Sequence, residues 1–315
     1  MNNLKIFSGT ASQCLTQQIC QNYGVLPGKI DLVRFPSGES YCQFQENIRG
    51  EDVFLVQSVC NPVNETLMEL LVMIDAAKRA SAGRITVVAP YMGYMRADRK
   101  VKSRTPITAK LVADLLSTAG ANRIIGMDFH SEQCQGFFNI PVDHLYAINL
   151  IYEKFRYEFD PKTLVIISPD VGGVKKATTL AKLLKCDVGF IMKKRLSDTE
   201  VASGGLIGNV DGLNVILLDD LTESCGTLLE AAEQCRKGGA ANVFAAVSHF
   251  LLTNLGYVRL KNNNIINKVI TTNSVDFEQN DLPIEILDVS FLFAKAIERI
   301  HNNQSLSCLF QVNGV

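Results

Sequence analysis

Slid against itself by 161 residues, the chain superposes the segment Phe54 to Leu67 on Val215 to Leu228 without a gap. Each copy then continues as a helical pattern, a short Gly/Ala break and an apolar strand: LMELLVMIDAAKRASAGRITVVAP in the first, LLEAAEQCRKGGAANVFAAVSH in the second. The segments before them also correspond. KIFSG and LVIISPDVGG each lead through a helix-like stretch to a strand ending in basic residues, at Arg34 and at Lys193 to Arg195. Apolar strands alternating with helices build parallel sheets covered on both faces, so the pattern predicts an α/β fold made of two related domains. Identity between the copies is weak, and the inference rests on element order. The polar stretch YEKFRYEFDPK, with Pro161, places the join within 145–162, giving domains 1–147 and 148–315. The last ~20 residues are expected to pack back on the first domain.

A chain of 315 residues, 47% apolar and 20% charged, has ample core for two domains. Its net charge of -1 and its lack of a long basic run argue against nucleic acid or a membrane surface as partner, leaving small molecules. The opening MNNLKIFSG lacks the charged-then-apolar pattern of a signal peptide, so the expected location is cytoplasmic. Nine scattered cysteines without a CxxC pair read as buried reduced thiols. His130 and Cys134 stand four apart, which alone is too few ligands for zinc.

The segment VILLDDLTESCGTL combines an apolar strand, Val215 to Leu218, with two acids and a short hydroxyl- and glycine-containing loop opening a helix. Loops at the carboxyl ends of strands are where open α/β sheets bind ligands. Backbone N–H groups of Ser224 to Thr227, with the Ser224 and Thr227 hydroxyls, can surround a phosphate at the positive end of the helix dipole. Asp219 and Asp220 would repel that phosphate, and suit ribose hydroxyls or Mg²⁺ instead. An ordinary strand-to-helix turn with capping acids is the plainer account of a lone Asp pair. The first copy has Ser58 and Val59 at the matching place, so the halves are expected to differ in function.

Three further strand ends carry polar clusters. After Ile85 to Ala89 come Arg96, Arg99, Lys100, Lys102, Arg104 and Lys110, a density suited to a polyphosphate, or equally to a solvated basic loop. In IIGMDFH the strand delivers Asp128 and His130 at alternate positions, projecting both to one side, where they suit a divalent ion or a structural hydrogen bond. In SPDVGG, Asp170 is a carboxylate at a strand terminus, and Gly172 and Gly173 allow close approach of a ligand or of the next helix. Finally, Lys193, Lys194 and Arg195 precede a small-residue stretch expected to be mobile, either a clamp for charge developing during reaction or a basic surface hairpin.

Together these segments resemble ribose-phosphate pyrophosphokinase over nearly the whole chain, through KIFSG, RFPSGES, NIRGEDVFLVQS, NETLMELLVMIDA, RASAGRITVVAPYMGYMRADRK, SRTPITAKLVADLL, DFHSEQCQGFFNIPVDHLYA, SPDVGG, DDLTESCGTL and AIERIHNNQSLSCLF. The resemblance implies two tandem type I phosphoribosyltransferase-type domains with parallel central sheets. It implies transfer of the β,γ-diphosphoryl group of MgATP to the C1 hydroxyl of ribose 5-phosphate, giving 5-phosphoribosyl 1-diphosphate and AMP. By position it assigns ATP binding to Phe35, Ser37, Gly38, Glu39, Arg96, Ala97, Asp98 and Arg99, the first four reaching a neighbouring subunit's site. It assigns the metal side to His130, Asp170 and Asp128, and catalysis to Lys193 and Arg195. Ribose 5-phosphate falls to Arg195, Asp219, Asp220, Glu223, Ser224, Cys225, Gly226 and Thr227.

This chain departs from the family pattern at several of these places. Ser37 stands for the usual Asp or Asn, Ala97 for Gln, Glu223-Ser224 for Asp-Thr and Asn139 for Asp, which predicts altered affinities in a working site. A small packing residue is the preferred account of Cys225, ahead of a redox-sensitive thiol. The family's hexamer, with phosphate activation and ADP inhibition, is matched at Arg49, Asp143, Ser305 and Phe310, while Asn47 replaces a usual Ser. An altered allosteric response is therefore expected. Two rival readings are a catalytically weak regulatory homologue in a hetero-oligomer, which the intact Lys193 and Arg195 oppose, and a phosphoribosyltransferase, which the duplication and the basic ATP-side cluster oppose.

Overall fold

The computed structural model describes residues 3–195, 201–279 and 281–310; the side chains of residues 193–195, 201–204 and 310 lie outside the description. Two compact units emerge. One takes in Met1–Tyr146, Ser274–Asp276 and Asp288–Val312, and the other Ala147–Asn273 and Phe277–Leu287.

The first unit runs β1 (Leu4–Ser8), α1 (Gln13–Tyr23), β2 (Ile30–Arg34), β3 (Ser40–Phe44), β4 (Asp52–Val56), α2 (Val63–Arg79), β5 (Arg84–Ala89), α3 (Thr108–Ala119), β6 (Arg123–Met127) and β7 (Val142–Leu145). The second follows with α4 (Ile148–Phe155), β8 (Leu164–Ser168), α5 (Val174–Leu184), β9 (Asp187–Arg195), β10 (Val201–Ile207), β11 (Asn214–Thr222), α6 (Gly226–Lys237), β12 (Asn242–Phe250), α7 (Asn254–Lys261), β13 (Ile266–Thr272) and β14 (Ile284–Leu287). The chain then returns to the first unit with α8 (Ser290–His301) and α9 (Ser307–Phe310).

The first sheet is ordered β1-β4-β5-β6-β7 and is parallel throughout. The second is ordered β10-β9-β8-β11-β12-β13-β14 and is parallel except for the antiparallel β9–β10 edge. From β8 onward the elements repeat those from β1 onward one for one, as the sequence offset predicts. The copies differ at their hairpins. β2 and β3 make a separate two-stranded ribbon, whereas β9 joins the main sheet through β8.

Side-chain alternation explains why the apolar runs are continuous. In the second unit Val165, Ile167, Val215, Leu217, Val243 and Val247 face α6, which supplies Leu228, Ala231, Ala232 and Cys235. Their neighbours Leu164, Ile166, Ile216, Leu218 and Ala246 face α4 and α5, which supply Phe155, Leu180 and Leu184. A strand covered on both faces needs an apolar residue at every position, and each such burial contributes about 1.5–3 kcal/mol. In the first unit Val53, Leu55, Val87 and Ile124 pack against α2 and α3, while Phe54, Val56, Val88 and Ile125, of the opposite parity, are buried as well.

α8 is tied within its unit by polar contacts. Asn22 Nδ2 donates to Ser290 Oγ at 2.7 Å, Arg84 Nη2 donates to the Ile300 carbonyl at 3.1 Å, and His301 Nδ1 lies 2.7 Å from Asp52 Oδ2. Buried Asp52 is thus met by both Arg84 and His301. The nine cysteines are free, but only five are buried: Cys14 and Cys308 are exposed and Cys42 and Cys186 half-buried, a correction to the uniformly buried set expected from composition. No helix among the described residues is long and apolar enough to cross a membrane.

Candidate active site

β11 is the central strand of the second sheet, between β8 and β12, and its apolar stretch carries it through the core before the acids appear. The strand runs on to Thr222, so Asp219 and Asp220 sit within it, and the loop before α6 is only Glu223 to Cys225. That corrects the expectation of a strand ending at Leu218. The Asp220 N–H donates to Asp219 Oδ1 at 2.9 Å, and the Leu221 N–H to Asp220 Oδ1 at 3.0 Å. Burial, the neighbouring Asp220 charge and hydrogen bond, and the charge of Asp170 push the Asp219 carboxyl well above the usual carboxylate range, against a smaller opposite pull from the Asp220 N–H. As a residue Asp219 is half-buried.

Asp170 itself follows β8. Its Oδ1 accepts from the Gly173 N–H at 3.0 Å, and its carbonyl accepts from Ser168 Oγ at 2.7 Å. A Cβ on Gly173 would come 2.6 Å from Ser168 Oγ, so at this position the glycine serves the approach of its own strand end to α5. The charges of Asp220 and Asp170 thus both bear on Asp219 at this end of the sheet.

The loop beyond is held from behind. The Leu251 N–H donates to the Thr222 carbonyl at 2.8 Å. The Thr253 N–H and Oγ1 donate to the Glu223 carbonyl at 3.1 and 3.0 Å, and Arg259 Nη1 donates to the Ser224 carbonyl at 3.2 Å. Cys225 adopts the left-handed conformation, φ 56°, at the start of α6. It is buried and its thiol is pushed up by desolvation, which makes it a packing residue. Sequence reasoning did not find Thr253 and Arg259. Thr253 is visible as a helix cap, its Oγ1 accepting the Gly256 N–H at 3.2 Å, but nothing local shows that it meets residue 223.

The first unit carries the other cluster. Between β5 and α3, Met95 is buried and Arg96 exposed, with the segment pinned on either side. Cys134 Sγ donates to the Met95 carbonyl at 3.7 Å, and the Ala109 N–H to the Ala97 carbonyl at 3.2 Å. Arg99, Lys100, Lys102 and Arg104 are also exposed, and Asp98 is half-buried. Asp128 and His130 do not share a strand face as predicted. β6 ends at Met127, Asp128 turns to φ 42°, and the result is a buried Asp128 beside an exposed His130. The turn between them is fixed by His144, whose Nε2 accepts the Phe129 N–H at 2.8 Å and whose ring stacks on Phe129 at 4.8 Å.

Phe35, Ser37, Gly38 and Glu39 form the exposed tip of the β2–β3 ribbon. The Phe35 N–H donates to the Glu39 carbonyl at 2.9 Å, Gly38 supplies φ 93°, and the Phe35 ring lies 5.8 Å from Tyr41. Of the candidate regulatory residues, Asp143 pairs with Arg123 at 2.5 Å, and Arg49 bonds Ser81 Oγ at 3.2 Å and, through its N–H, Asn47 Oδ1 at 3.1 Å. Ser305 Oγ lies 2.8 Å from Ser307 Oγ. The side chains of Lys193, Arg195 and Phe310 lie outside the described atoms; the backbone places the first two at the end of β9, with Arg195 opposite Val201 of β10. Of the stretch expected to be mobile, residues 196–200 lie outside the described residues, and from Val201 the backbone forms β10. Among the described residues no three His, Cys, Asp or Glu side chains converge to hold a metal by themselves.

A family model for the N-terminal domain of ribose phosphate pyrophosphokinase matches residues 4–120, and one for a phosphoribosyl synthetase-associated domain matches residues 197–311. A ribose-phosphate pyrophosphokinase of Fusobacterium nucleatum is 44% identical over 312 residues, covering 98% of each chain. One of Porphyromonas gingivalis is 43% identical over 309 residues, again 98% of each. Among solved structures, the phosphoribosylpyrophosphate synthetase of Mycobacterium smegmatis matches with a TM-score of 0.90 at 36% identity, over 96% of this chain and 100% of that one.

Proposed function

The chain belongs to the ribose-phosphate pyrophosphokinase family, and from that premise we propose how its residues divide the reaction. Its fold is the tandem phosphoribosyltransferase-type arrangement, and it is a diphosphotransferase acting in nucleotide biosynthesis. The substrates are ATP and ribose 5-phosphate, and the products AMP and the sugar 1-diphosphate. The full-length relatives named above are ribose-phosphate pyrophosphokinases and a phosphoribosylpyrophosphate synthetase.

In this reading the Asp219–Asp220 pair accepts hydrogen bonds from the ribose hydroxyls, and the loop Glu223 to Thr227 takes the 5-phosphate. The observation that carries the assignment is the half-buried Asp219, crowded by the charges of Asp220 and Asp170, beside a loop whose Glu223 and Ser224 carbonyls are held by Thr253 and Arg259. Like charges gathered at a partly open strand end are relieved by donors or cations from a ligand. The basic segment Arg96 to Arg104, with the ribbon tip Phe35 to Glu39, is the ATP side. Exposed Val33, Phe35 and Tyr41 on that ribbon support self-association, for which we propose the hexamer. We place the protein in the cytoplasm.

Mg²⁺ would neutralise charge on the ATP phosphates. It commonly takes one or two carboxylates together with substrate phosphates and waters, so it does not require a dedicated three-ligand protein cluster. Of the chain's residues, we propose the metal-side role for exposed His130 and for Asp170, with buried Asp128 close to His130 in the chain. Catalysis is then positioning of the C1 hydroxyl in line with the β-phosphorus, and Lys193 and Arg195 neutralise the charge that spreads as the diphosphoryl group moves. Purified protein with ATP, Mg²⁺ and ribose 5-phosphate tests this directly. AMP should form only when the sugar phosphate is present; AMP formed equally without it refutes the reading.

A further inference from the structure

Three consecutive carbonyls, of Thr222, Glu223 and Ser224, are each taken by a donor from the single segment 251–259: the Leu251 N–H, the Thr253 N–H and hydroxyl, and the Arg259 guanidinium. In a trans peptide the C=O and the following N–H point in opposite directions. A carbonyl held toward α7 therefore turns the next residue's N–H away from it. The Glu223 carbonyl held by Thr253 aims the Ser224 N–H outward, and the Ser224 carbonyl held by Arg259 aims the Cys225 N–H the same way. The fit around this brace is tight. A Cβ on Gly256 would come 2.3 Å from the Glu223 carbonyl oxygen, and one on Gly226 3.0 Å from Arg259 Nη1. A cation donating to the Ser224 carbonyl also polarises that peptide, which makes its N–H a better donor to an anion.

We propose that Thr253 and Arg259 are positioning residues for the 5-phosphate of ribose 5-phosphate, acting through the peptides 223–224 and 224–225 without touching the sugar. The inference rests on the assignment of loop 223–227 to that phosphate. It predicts that affinity for the phosphate end of the substrate, and little else, depends on Arg259. Lysine can still donate to the Ser224 carbonyl and leucine cannot.

The test uses the full-length protein and calorimetric titration with ribose 5-phosphate and with unphosphorylated ribose, alongside steady-state kinetics. Arg259→Leu should weaken ribose 5-phosphate binding about 10-fold, raise its KM in step and leave the KM for ATP within about twofold, which for the first effect corresponds to about 1.4 kcal/mol. The preference for ribose 5-phosphate over ribose should shrink by the same factor. Arg259→Lys should restore most of it, and Thr253→Val should lose about threefold by removing one of two donors to the Glu223 carbonyl. Arg259→Leu binding ribose 5-phosphate as tightly as the wild type overturns the inference. So does equal loss toward both substrates, which would mark general damage. Should Arg259→Leu fail to fold, the Lys and Val variants decide it on the same ratio. A wild type that binds no ribose 5-phosphate would instead remove the assignment of the loop, and the inference with it.

Discussion

Gly173→Ala should destabilise the second unit through a single atom, the Ser168 hydroxyl oxygen. Gly173 has φ -83° and ψ -4°, a conformation alanine adopts without strain, so the backbone raises no objection. The added Cβ meets Ser168 Oγ at 2.6 Å, and its next neighbours are Ser168 Cβ at 3.8 Å and Asp170 Oδ1 at 3.9 Å, both ordinary contacts. Ser168 is fully buried, so turning its hydroxyl aside breaks its 2.7 Å bond to the Asp170 carbonyl and leaves it without water. That costs about 1–3 kcal/mol, while replacing glycine gains about 0.4–1 kcal/mol from the unfolded chain. The net loss of roughly 0.5–2 kcal/mol should lower the melting temperature by a few degrees. In a Ser168→Ala background the obstacle is gone, and the same Gly173→Ala change should become neutral or slightly stabilising. Calorimetric melting of the four proteins of this cycle measures the coupling. If Gly173→Ala cost the same in both backgrounds, the account of Gly173 as room for Ser168 would be wrong.

Asp219→Asn should raise the melting temperature while abolishing ribose 5-phosphate binding. The folded Asp219 carboxyl is raised above its unfolded value, so the native state holds its proton longer and ionisation costs stability as pH rises from the usual carboxylate range through the raised value. The variant should lack that decline in a series of melts from about pH 4 to pH 8, and an unchanged slope would count against the burial argument. Lys193→Ala should cut kcat by about 10²–10³ with both KM values within about threefold, because its cation is used mostly at the barrier. A loss confined to KM, read from initial rates, would refute that. Iodoacetamide followed by peptide mass analysis should label exposed Cys14 and Cys308 first and spare Cys225, Cys20 and Cys235, the last two pushed up by burial to about 12. Early labelling of Cys225 would revive a redox role for it.

The parallel sheets and the duplication were readable because a doubly covered strand demands an unbroken apolar run, as at Val215 to Leu218, and two such runs at one offset imply one plan used twice. The strand's true end was not readable. Asp219 and Asp220 look like loop residues because acids rarely sit in strands, but here backbone pairing with β12 carries the strand through them, with Asp219 opposite Val247. The alternation argument for Asp128 and His130 failed because it assumes strand geometry, and a left-handed residue at Asp128 resets the direction of everything after it. Thr253 and Arg259 escaped notice for a different reason. Their partners are carbonyls about 30 residues away, and a carbonyl leaves no trace in residue type.

The same scaffold ends in different chemistry in its two halves because the donors and acceptors at matched strand ends are used differently. At the end of β4 the Ser58 N–H donates to Ser12 Oγ at 2.8 Å, its hydroxyl donates to the Ser274 carbonyl at 2.5 Å, and the Val59 N–H bonds the Tyr91 carbonyl at 2.8 Å. Every one of these groups is satisfied by protein, and both residues are buried, so the position is closed to ligands. At the corresponding end of β11 the acids remain partly accessible and repel one another. Closing the first end stabilises its fold. Leaving the second open costs stability at neutral pH, a cost that a bound sugar phosphate, donating hydroxyls to the acids and accepting the outward N–H groups of the loop, is suited to offset.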